Sequence, residues 1–299
     1  MKRLIWNPVA GGSFPTGTEE FLRKKLPNTE ICRTGTAGDG EKLAAECSEG
    51  ELYILGGDGT LREALQGART SGSSLCLLPA GSGNDFARTL YQALPSGERT
   101  WRALLNRNSV WTSRKIDCAE ADGQYFLNIA SVGFDAEVVQ NAEKFKKLPG
   151  LRRFSYILSL FYTILFFSGV DLTVKANGRL LQGTALLTAV ANGQYYGGGI
   201  RIAPEAVVDD GKLEIYFIPK ISRLRFLSLL PTLLKGTHTK TRYVTHFPAE
   251  EIEIRGKDLL LNLDGDLFRT DRVHIQILPG SVTMQVPAET QFNQERTID

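Results

Sequence analysis

Two glycine-rich segments with acidic side chains, residues 56–60 (GGDGT) and 79–85 (PAGSGND), have the residue types best suited to chemistry. Each follows a short apolar run typical of a buried strand and precedes a stretch with helical patterning. Glycines let the backbone bend sharply, so that several N–H groups can face an anion at a helix start. One such loop could be a simple tight turn, but two of them at the ends of neighbouring strands favour a polyphosphate ligand.

Two further acidic turns stand in the second half of the chain, residues 209–211 (DDG) and 264–266 (DGD). The first suits a turn and equally a magnesium site, because Mg²⁺ takes hard carboxylate and carbonyl oxygens. By pattern alone the second is a hairpin turn. A carboxylate there could also accept a proton from an alcohol, provided that it lies within hydrogen-bond reach of the hydroxyl.

The predicted secondary structure that must position these loops differs between the first and the second part of the chain. Strand patterns at 4–6, 30–33, 52–55 and 75–78 alternate with helical patterns at 18–25, 41–47, 61–68 and 85–91, which predicts a parallel sheet covered by helices. Later strand patterns fall at 125–130, 171–175, 185–191, 212–218, 251–255 and 273–277, and helical ones at 134–143, 153–167 and 224–234. Asn177-Gly178 and Asp122-Gly123 predict tight hairpins.

We therefore predict an α/β domain at residues 1–114, a mainly antiparallel β domain at 115–287, and a loosely ordered tail at 288–299. The composition, with 42% hydrophobic and 23% charged residues in 299, is that of a globular protein. Its 35 basic and 33 acidic residues sum to +2, so no global field would attract nucleic acid. Without a secretion signal at the N-terminus, we expect a cytoplasmic protein.

The apolar segment 154–170 carries no charged residue and is preceded by basic ones. At seventeen residues it reaches only the short limit for a membrane-spanning helix, about 17 to 25 residues. A core helix and a helix that rests on the inner membrane face both remain open. In the second case its basic neighbours would meet an anionic leaflet, namely Lys144, Lys146, Lys147, Arg152 and Arg153.

Five segments in fixed order carry a resemblance to a known family: 7–11 (NPVAG), 56–61 (GGDGTL), 79–88 (PAGSGNDFAR), 209–213 (DDGKL) and 263–266 (LDGD). The chain resembles the lipid kinases with a diacylglycerol kinase catalytic domain, among them bacterial diacylglycerol and phosphatidylglycerol kinases and the sphingosine and ceramide kinases. The resemblance implies an NAD kinase-like nucleotide domain, a β-sandwich-like second domain, and an active site in the cleft between them.

The resemblance further implies ATP and Mg²⁺ as cofactors and a lipid hydroxyl as acceptor. The positions that it assigns to the nucleotide are Asn7, Thr34, Gly56, Gly57, Asp58, Gly59, Thr60, Leu61, Arg62, Gly81, Ser82, Asn84 and Asp85. Asp58 would also organise catalytic magnesium. A structural Mg²⁺ would be held by the Asp210 carboxylate with backbone groups of Val207 and Lys212.

The catalytic positions that the resemblance implies are Asp58, Asp264 and Asp266. The family usually has Asp-Gly-Glu where this chain has Asp264-Gly265-Asp266, and this shorter side chain leaves open which carboxylate reaches the substrate hydroxyl. An NAD kinase-like phosphotransferase is the alternative enzyme, although NAD kinases carry a different asparagine-glutamate signature in the second loop. A non-catalytic lipid-binding protein of the same fold is the other alternative. The acceptor lipid and a homodimeric state are also open.

Overall fold

The computed structural model describes residues 1–107, 110–148 and 154–290. Its strands are β1 (Lys2–Trp6), β2 (Glu30–Arg33), β3 (Glu51–Gly56), β4 (Ser74–Pro79), β5 (Trp111–Ala121), β6 (Gln124–Phe126), β7 (Ile129–Gly133), β8 (Val170–Ala176), β9 (Arg179–Ala191), β10 (Leu213–Pro219), β11 (Thr245–Ala249), β12 (Glu251–Leu263) and β13 (Asp266–Pro287). Its α-helices are α1 (Thr18–Lys25), α2 (Asp39–Ala45), α3 (Asp58–Ser71), α4 (Asp85–Leu90), α5 (Trp101–Asn106), α6 (Phe134–Lys146), α7 (Ser155–Phe166) and α8 (Arg223–Leu234).

The first part is the predicted parallel sheet, with strands in the order β4-β3-β1-β2. Its strands are apolar on both faces because helices cover both, and Leu4, Ile54 and Leu77 are buried. All four predicted strands and the first four predicted helices are present. Helix α2 begins at Asp39, two residues earlier than predicted, after Gly38 in the left-handed conformation.

The second part is mainly antiparallel, as predicted. Asn177 and Gly178 connect β8 to β9 with φ of 50° and 72°, the positive values that a type I′ turn requires. Asp122 and Gly123 make the same kind of turn between β5 and β6, with φ of 46° and 87°. Both predicted hairpins are therefore confirmed.

Strand β13 joins the two parts into one thirteen-stranded sheet. It pairs antiparallel with β12 and β5, and then runs parallel to β4, with Met284 opposite Leu75. The sequence predicted residues 273–277 of this strand, and 268–277 where 264–266 is taken as a hairpin turn, whereas the strand spans 22 residues. Strand β5 crosses the predicted boundary at Arg114 without interruption, and the domain bounds themselves stay a prediction.

The predicted strand at 125–130 is wrong as a single element, because it breaks into β6 and β7. The backbone N–H groups of Leu127, Asn128 and Ile129 donate hydrogen bonds to the carboxylate of Asp264. The chain therefore leaves the strand ladder where a side chain from the β12–β13 turn takes over its donors. This interaction spans 137 residues of sequence, and no local pattern signals it.

Helix α7 presents its polar side to the protein and its apolar side outward. Ser155, Ser159 and Thr163, spaced four residues apart, are buried. Ser159 Oγ donates to the Val138 carbonyl of α6, and Asn141 Nδ2 donates to Thr163 Oγ1 at 3.2 Å. The exposed side carries Tyr156, Ile157, Phe161, Tyr162, Leu165 and Phe166.

This inverted pattern excludes an ordinary core helix, which would bury its apolar side. Among residues 1–107, 110–148 and 154–290, none of the helices combines the length and the apolar character that a bilayer crossing requires. The predicted basic approach to α7 lies in part outside the described residues, since these omit Arg152 and Arg153. Lys144, Lys146 and Lys147 are described and exposed.

Candidate active site

Three loops meet at the carboxyl ends of β1, β3 and β4, and glycine stands at each contact. A Cβ atom on Gly81 would lie 2.5 Å from Gly57 Cα, and one on Gly11 would overlap the Ala80 carbonyl oxygen. A Cβ on Gly56 would lie 2.5 Å from the Thr60 side chain. The glycines are thus required for the backbones of these loops to touch.

The loop after β3 is tied to the other elements by two of its predicted nucleotide positions. Asn7 Nδ2 donates to Thr60 Oγ1 at 3.1 Å, which joins the first and second motifs. Arg62 on α3 forms an ion pair with Asp266 at the start of β13, and its guanidinium lies 5.8 Å from the Phe268 ring centroid. Arg62 therefore bridges the two parts of the chain.

Asp58 and Asp85 lie next to each other, at the first positions of α3 and α4. The Asp58 carboxylate accepts hydrogen bonds from the backbone N–H groups of Asp85 and Phe86, both at 3.1 Å. Asp85 Oδ2 accepts from the Gly198 N–H at 2.9 Å. Burial, with the negative charge of Asp58, raises the pKa of Asp85 to about 6, against the opposing effect of the Gly198 amide.

Asp264 is held by main-chain donors of the 127–129 segment. Its Oδ1 accepts from Ile129 at 2.7 Å and from Asn128 at 3.2 Å, while Oδ2 accepts from Leu127 at 3.0 Å and from Asn128 at 3.3 Å. Burial raises the pKa of Asp264 to about 6, opposed by these amides and assisted by the charge of Asp58. Asp264 is thus a fixed carboxylate with each oxygen fully engaged.

A cavity of about 220 Å³ brings together Asp58, Asp85 and Asp264, with Leu61 and Gly265 also in its wall. Of the two acidic residues in the β12–β13 turn, only Asp264 lines it. Asp266 lies at the hairpin beside it, and the side chain is 54% exposed. The structure therefore separates the two carboxylates that the sequence left equivalent.

The remaining predicted nucleotide positions surround this cavity without lining it. Asn84 shapes the second loop, because its side chain accepts from the Gly81 N–H at 2.8 Å and donates to the Gly81 carbonyl at 2.7 Å. Ser82 is exposed on the same loop. Thr34 follows β2 and donates its N–H to the Trp6 carbonyl at 2.9 Å, one strand further from the acidic cluster.

A second, apolar cavity of about 190 Å³ adjoins the acidic one. Helices α6, α7 and α8 and strand β9 enclose it, with Val138, Leu160 and Phe226 among its lining. The two cavities share three wall residues: Asp135, Tyr156 and Tyr196. An acidic cavity therefore lies beside an apolar one, with these three residues between them.

Sequence reasoning missed Asp135, which is buried in that shared wall. Its local pattern was visible, however. Asp135 follows strand β7 and a glycine with positive φ, Gly133, and stands in the first turn of α6. Asp58 has a similar placement after β3, so the motif of strand, glycine and acidic residue occurs again without its glycine-rich context.

The predicted magnesium turn forms a separate site near β5. Asp210 accepts from the Lys212 N–H at 3.1 Å, and burial raises the pKa of its carboxyl, as do the charges of Glu214 and Asp117. Asp117 braces the same turn, because its Oδ2 accepts from the Gly211 N–H at 2.7 Å. In the described part of the chain, no three His, Cys, Asp or Glu side chains cluster as metal ligands.

Both acidic clusters suit a cation. Burial raises the pKa of Asp85, Asp210 and Asp264, and a neighbouring carboxylate adds to the rise in each, so negative charges lie close together at both sites. At Asp210 a single carboxylate with the carbonyls of the turn provides the hard oxygen donors that Mg²⁺ prefers. The donor sets therefore fit the metal that the resemblance implies.

Comparison with known proteins identifies both halves of this arrangement. Residues 2–120 match the diacylglycerol kinase catalytic domain, and residues 128–286 match the YegS C-terminal NAD kinase beta sandwich-like domain. A YegS-like lipid kinase of Pseudomonas putida is 33% identical over 261 residues, covering 85% of this chain and 84% of that protein. A diacylglycerol kinase of Bacillus subtilis is 28% identical, with coverage of 88% and 89%.

Solved structures agree on the fold. A diacylglycerol kinase of Bacillus anthracis superimposes with a TM-score of 0.72 at 23% identity, and covers 97% of each chain. The two-part architecture predicted from the sequence is thereby confirmed. The chain belongs to the lipid kinase family that joins a diacylglycerol kinase catalytic domain to a YegS-type C-terminal domain, a family of phosphotransferases that act on alcohol groups.

Proposed function

We propose that this protein transfers the γ-phosphoryl group of ATP, with Mg²⁺, to the hydroxyl of a membrane lipid such as diacylglycerol or phosphatidylglycerol. The observation that carries the proposal is the shared wall between the acidic cavity and the apolar cavity. A lipid acceptor needs both environments, since its hydroxyl must reach the phosphate while its tail leaves water.

The nucleotide side rests on the three converging loops. Backbone N–H groups at the start of α3 would face the phosphates, and Arg62 lies within reach of the same loop. Those of Asp85 and Phe86, at the start of α4, donate to Asp58 instead. Mg²⁺, when bound near Asp58, would neutralise charge on the transferring phosphoryl group. A second Mg²⁺, held by Asp210 with backbone groups of Val207 and Lys212, would stabilise the turn that precedes β10 and would have a structural role.

We assign the proton acceptor to Asp266 rather than to Asp264. Backbone N–H groups already donate to both oxygens of Asp264, so a substrate hydroxyl would have to displace one of them to reach this carboxylate. Asp266 has one oxygen engaged by Arg62 and the other available. In the reaction, the lipid oxygen bonds to the γ-phosphorus as its proton passes to Asp266, and the bond to the ADP oxygen breaks.

The outward apolar face of α7 is the surface that we propose to rest on the inner leaflet of the membrane. Helices α7 and α8 wall the apolar cavity, and both expose large apolar side chains around it, including Phe161 on α7 and Leu224 on α8. A lipid bilayer is the occupant that this arrangement favours, because Tyr156 and Leu234 line the cavity proposed for the lipid and are also exposed. Basic side chains at Arg223 and Arg225 would face lipid phosphates.

The test is transfer of label from γ-labelled ATP to lipids in mixed micelles with Mg²⁺, with diacylglycerol and phosphatidylglycerol offered in separate tubes and NAD in a third. We expect a labelled lipid whose formation falls more than tenfold in Asp58→Ala, about 1.4 kcal/mol of transition-state stabilisation. Label in the NAD tube alone would replace the lipid acceptor by NAD. A folded protein that labels none of the three acceptors would refute the kinase proposal for them.

A further inference from the structure

Asp135 has a buried carboxylate oxygen that the fold leaves without a partner. The residue is 5% exposed and stands in the first turn of α6. Ser131 Oγ and Asn262 Nδ2 both donate to its Oδ2, the second at 3.1 Å. Its Oδ1 is buried and has no hydrogen-bond partner among the described residues. One oxygen of this carboxylate thus accepts hydrogen bonds from protein side chains, and the other has no partner among the described residues.

The position of Asp135 relates this oxygen to the ligand. Asp135 belongs to the wall of the acidic cavity and to that of the apolar cavity. A molecule that placed its reacting hydroxyl near Asp58 and its tail in the apolar cavity would pass Asp135 between the two. Buried polar groups are nearly always satisfied by protein, water or a ligand, so a free acceptor in the wall between the two cavities can accept a hydrogen bond from a bound molecule.

A hydroxyl is the group that suits this environment. Burial raises the pKa of the Asp135 carboxyl, while hydrogen bonds from Ser131, from Asn262 and from the backbone N–H groups of Ala136 and Asp135 act against that rise. A hydroxyl both donates and accepts, so it can pair with the carboxylate and equally with the protonated acid. An ester oxygen, which only accepts, could pair with the acid form alone.

The apolar cavity limits how much lipid can enter. Its volume of about 190 Å³ compares with roughly 150 Å³ for a dry cavity that holds one benzene molecule. Part of one acyl chain fills such a space.

We infer that Asp135 binds a second hydroxyl of the acceptor lipid, next to the hydroxyl that receives the phosphoryl group, and that the preferred acceptor is a single-chain lipid such as a monoacylglycerol. This inference rests on the proposed lipid kinase activity and deepens it. In diacylglycerol the corresponding hydroxyl is esterified and cannot donate. Asp135 is then a specificity-determining residue that selects for the free diol.

The test compares two acceptors that differ in one hydroxyl: a 1-monoacylglycerol and the 1,3-propanediol monoester of the same fatty acid. With the unaltered protein, we expect kcat/KM to be at least tenfold higher for the monoacylglycerol. In Asp135→Ala, we expect the ratio to fall to within about twofold of one. A merely structural role for Asp135 would lower both values together and leave the ratio unchanged, which would overturn the inference.

The comparison on the unaltered protein stands even if Asp135→Ala does not fold, and equal use of the two acceptors would refute the inference by itself. Diacylglycerol in a third tube separates the two proposals. Label in diacylglycerol with none in the monoacylglycerol would refute the role of Asp135 and keep the lipid kinase. Label in no lipid, including phosphatidylglycerol, would refute the proposed function itself.

Discussion

Replacing Asp264 and Asp266 separately by asparagine should divide stability from catalysis. In Asp264→Asn, an amide NH2 takes the place of one oxygen that accepts two backbone N–H groups. At least one of the 127–129 amides then loses its acceptor, which costs about 1–3 kcal/mol for a buried donor. We therefore expect a clearly lower denaturation midpoint for this variant.

In Asp266→Asn we expect the opposite pattern. Asparagine at this 54% exposed position can still accept a hydrogen bond from the largely buried Arg62, so the denaturation midpoint should stay close to that of the unaltered protein. Loss of a general base lowers the transfer rate by about 10²–10⁴-fold. Urea denaturation followed by tryptophan fluorescence, together with kcat from labelled ATP, measures both quantities.

The reasoning fails if the two variants exchange behaviour. An Asp264→Asn protein of unchanged stability with abolished kcat, beside an Asp266→Asn protein within twofold of normal kcat, would make Asp264 the proton acceptor. Loss of stability in both variants would show that the ion pair with Arg62 contributes to stability in a way that asparagine does not replace.

Three further outcomes follow from the geometry. The folded state raises the pKa of Asp264 to about 6, so it binds this proton more tightly than the unfolded chain does. The melting temperature of the unaltered protein, relative to that of Asp264→Asn, should therefore rise as the pH falls from 7 to 5 and level off near pH 4. A difference that stays constant over this pH range would contradict the prediction. Gly81→Ala should weaken ATP binding at least tenfold by equilibrium titration, because its Cβ would strike the neighbouring loop, whereas Gly97→Ala, with open space around it, should not; equal affinities would contradict the close approach. Phe161→Ser should reduce sedimentation with anionic liposomes, while Leu180→Ser, similarly exposed on β9, should leave it unchanged; equal loss would refute α7 as the docking face.

The glycine-rich loops proposed to bind the nucleotide could be predicted from the sequence, because their residue types indicate their backbone conformation. The segments 56–60 and 79–85 each pair a strand pattern with glycines, and this local pattern was visible although the glycines also serve contacts between the loops. The hairpin at Asn177-Gly178 was predictable for the same reason, because its turn type requires positive φ at both positions. These elements depend on short-range backbone geometry, which residue types encode directly.

The lipid side depends on contacts between distant residues, and the sequence alone could not supply them. The role proposed for Asp135 depends in part on Asn262, 127 residues away, which engages one of its oxygens together with Ser131. The difference between Asp264 and Asp266 arises from backbone donors 135–137 residues earlier in the chain. For α7, the apolar composition was plain, but its orientation depends on polar partners in α6.

The continuous sheet described above also bears on how the protein folds. Strand β13, from the C-terminal part of the chain, covers the edge of β4, the last parallel strand of the N-terminal part. Without it, that edge would present unpaired N–H and C=O groups, which invite aggregation. The N-terminal part therefore reaches a protected state only after the last strand has been synthesised. Unfolding should be correspondingly cooperative, with the two parts losing structure together rather than as independent units.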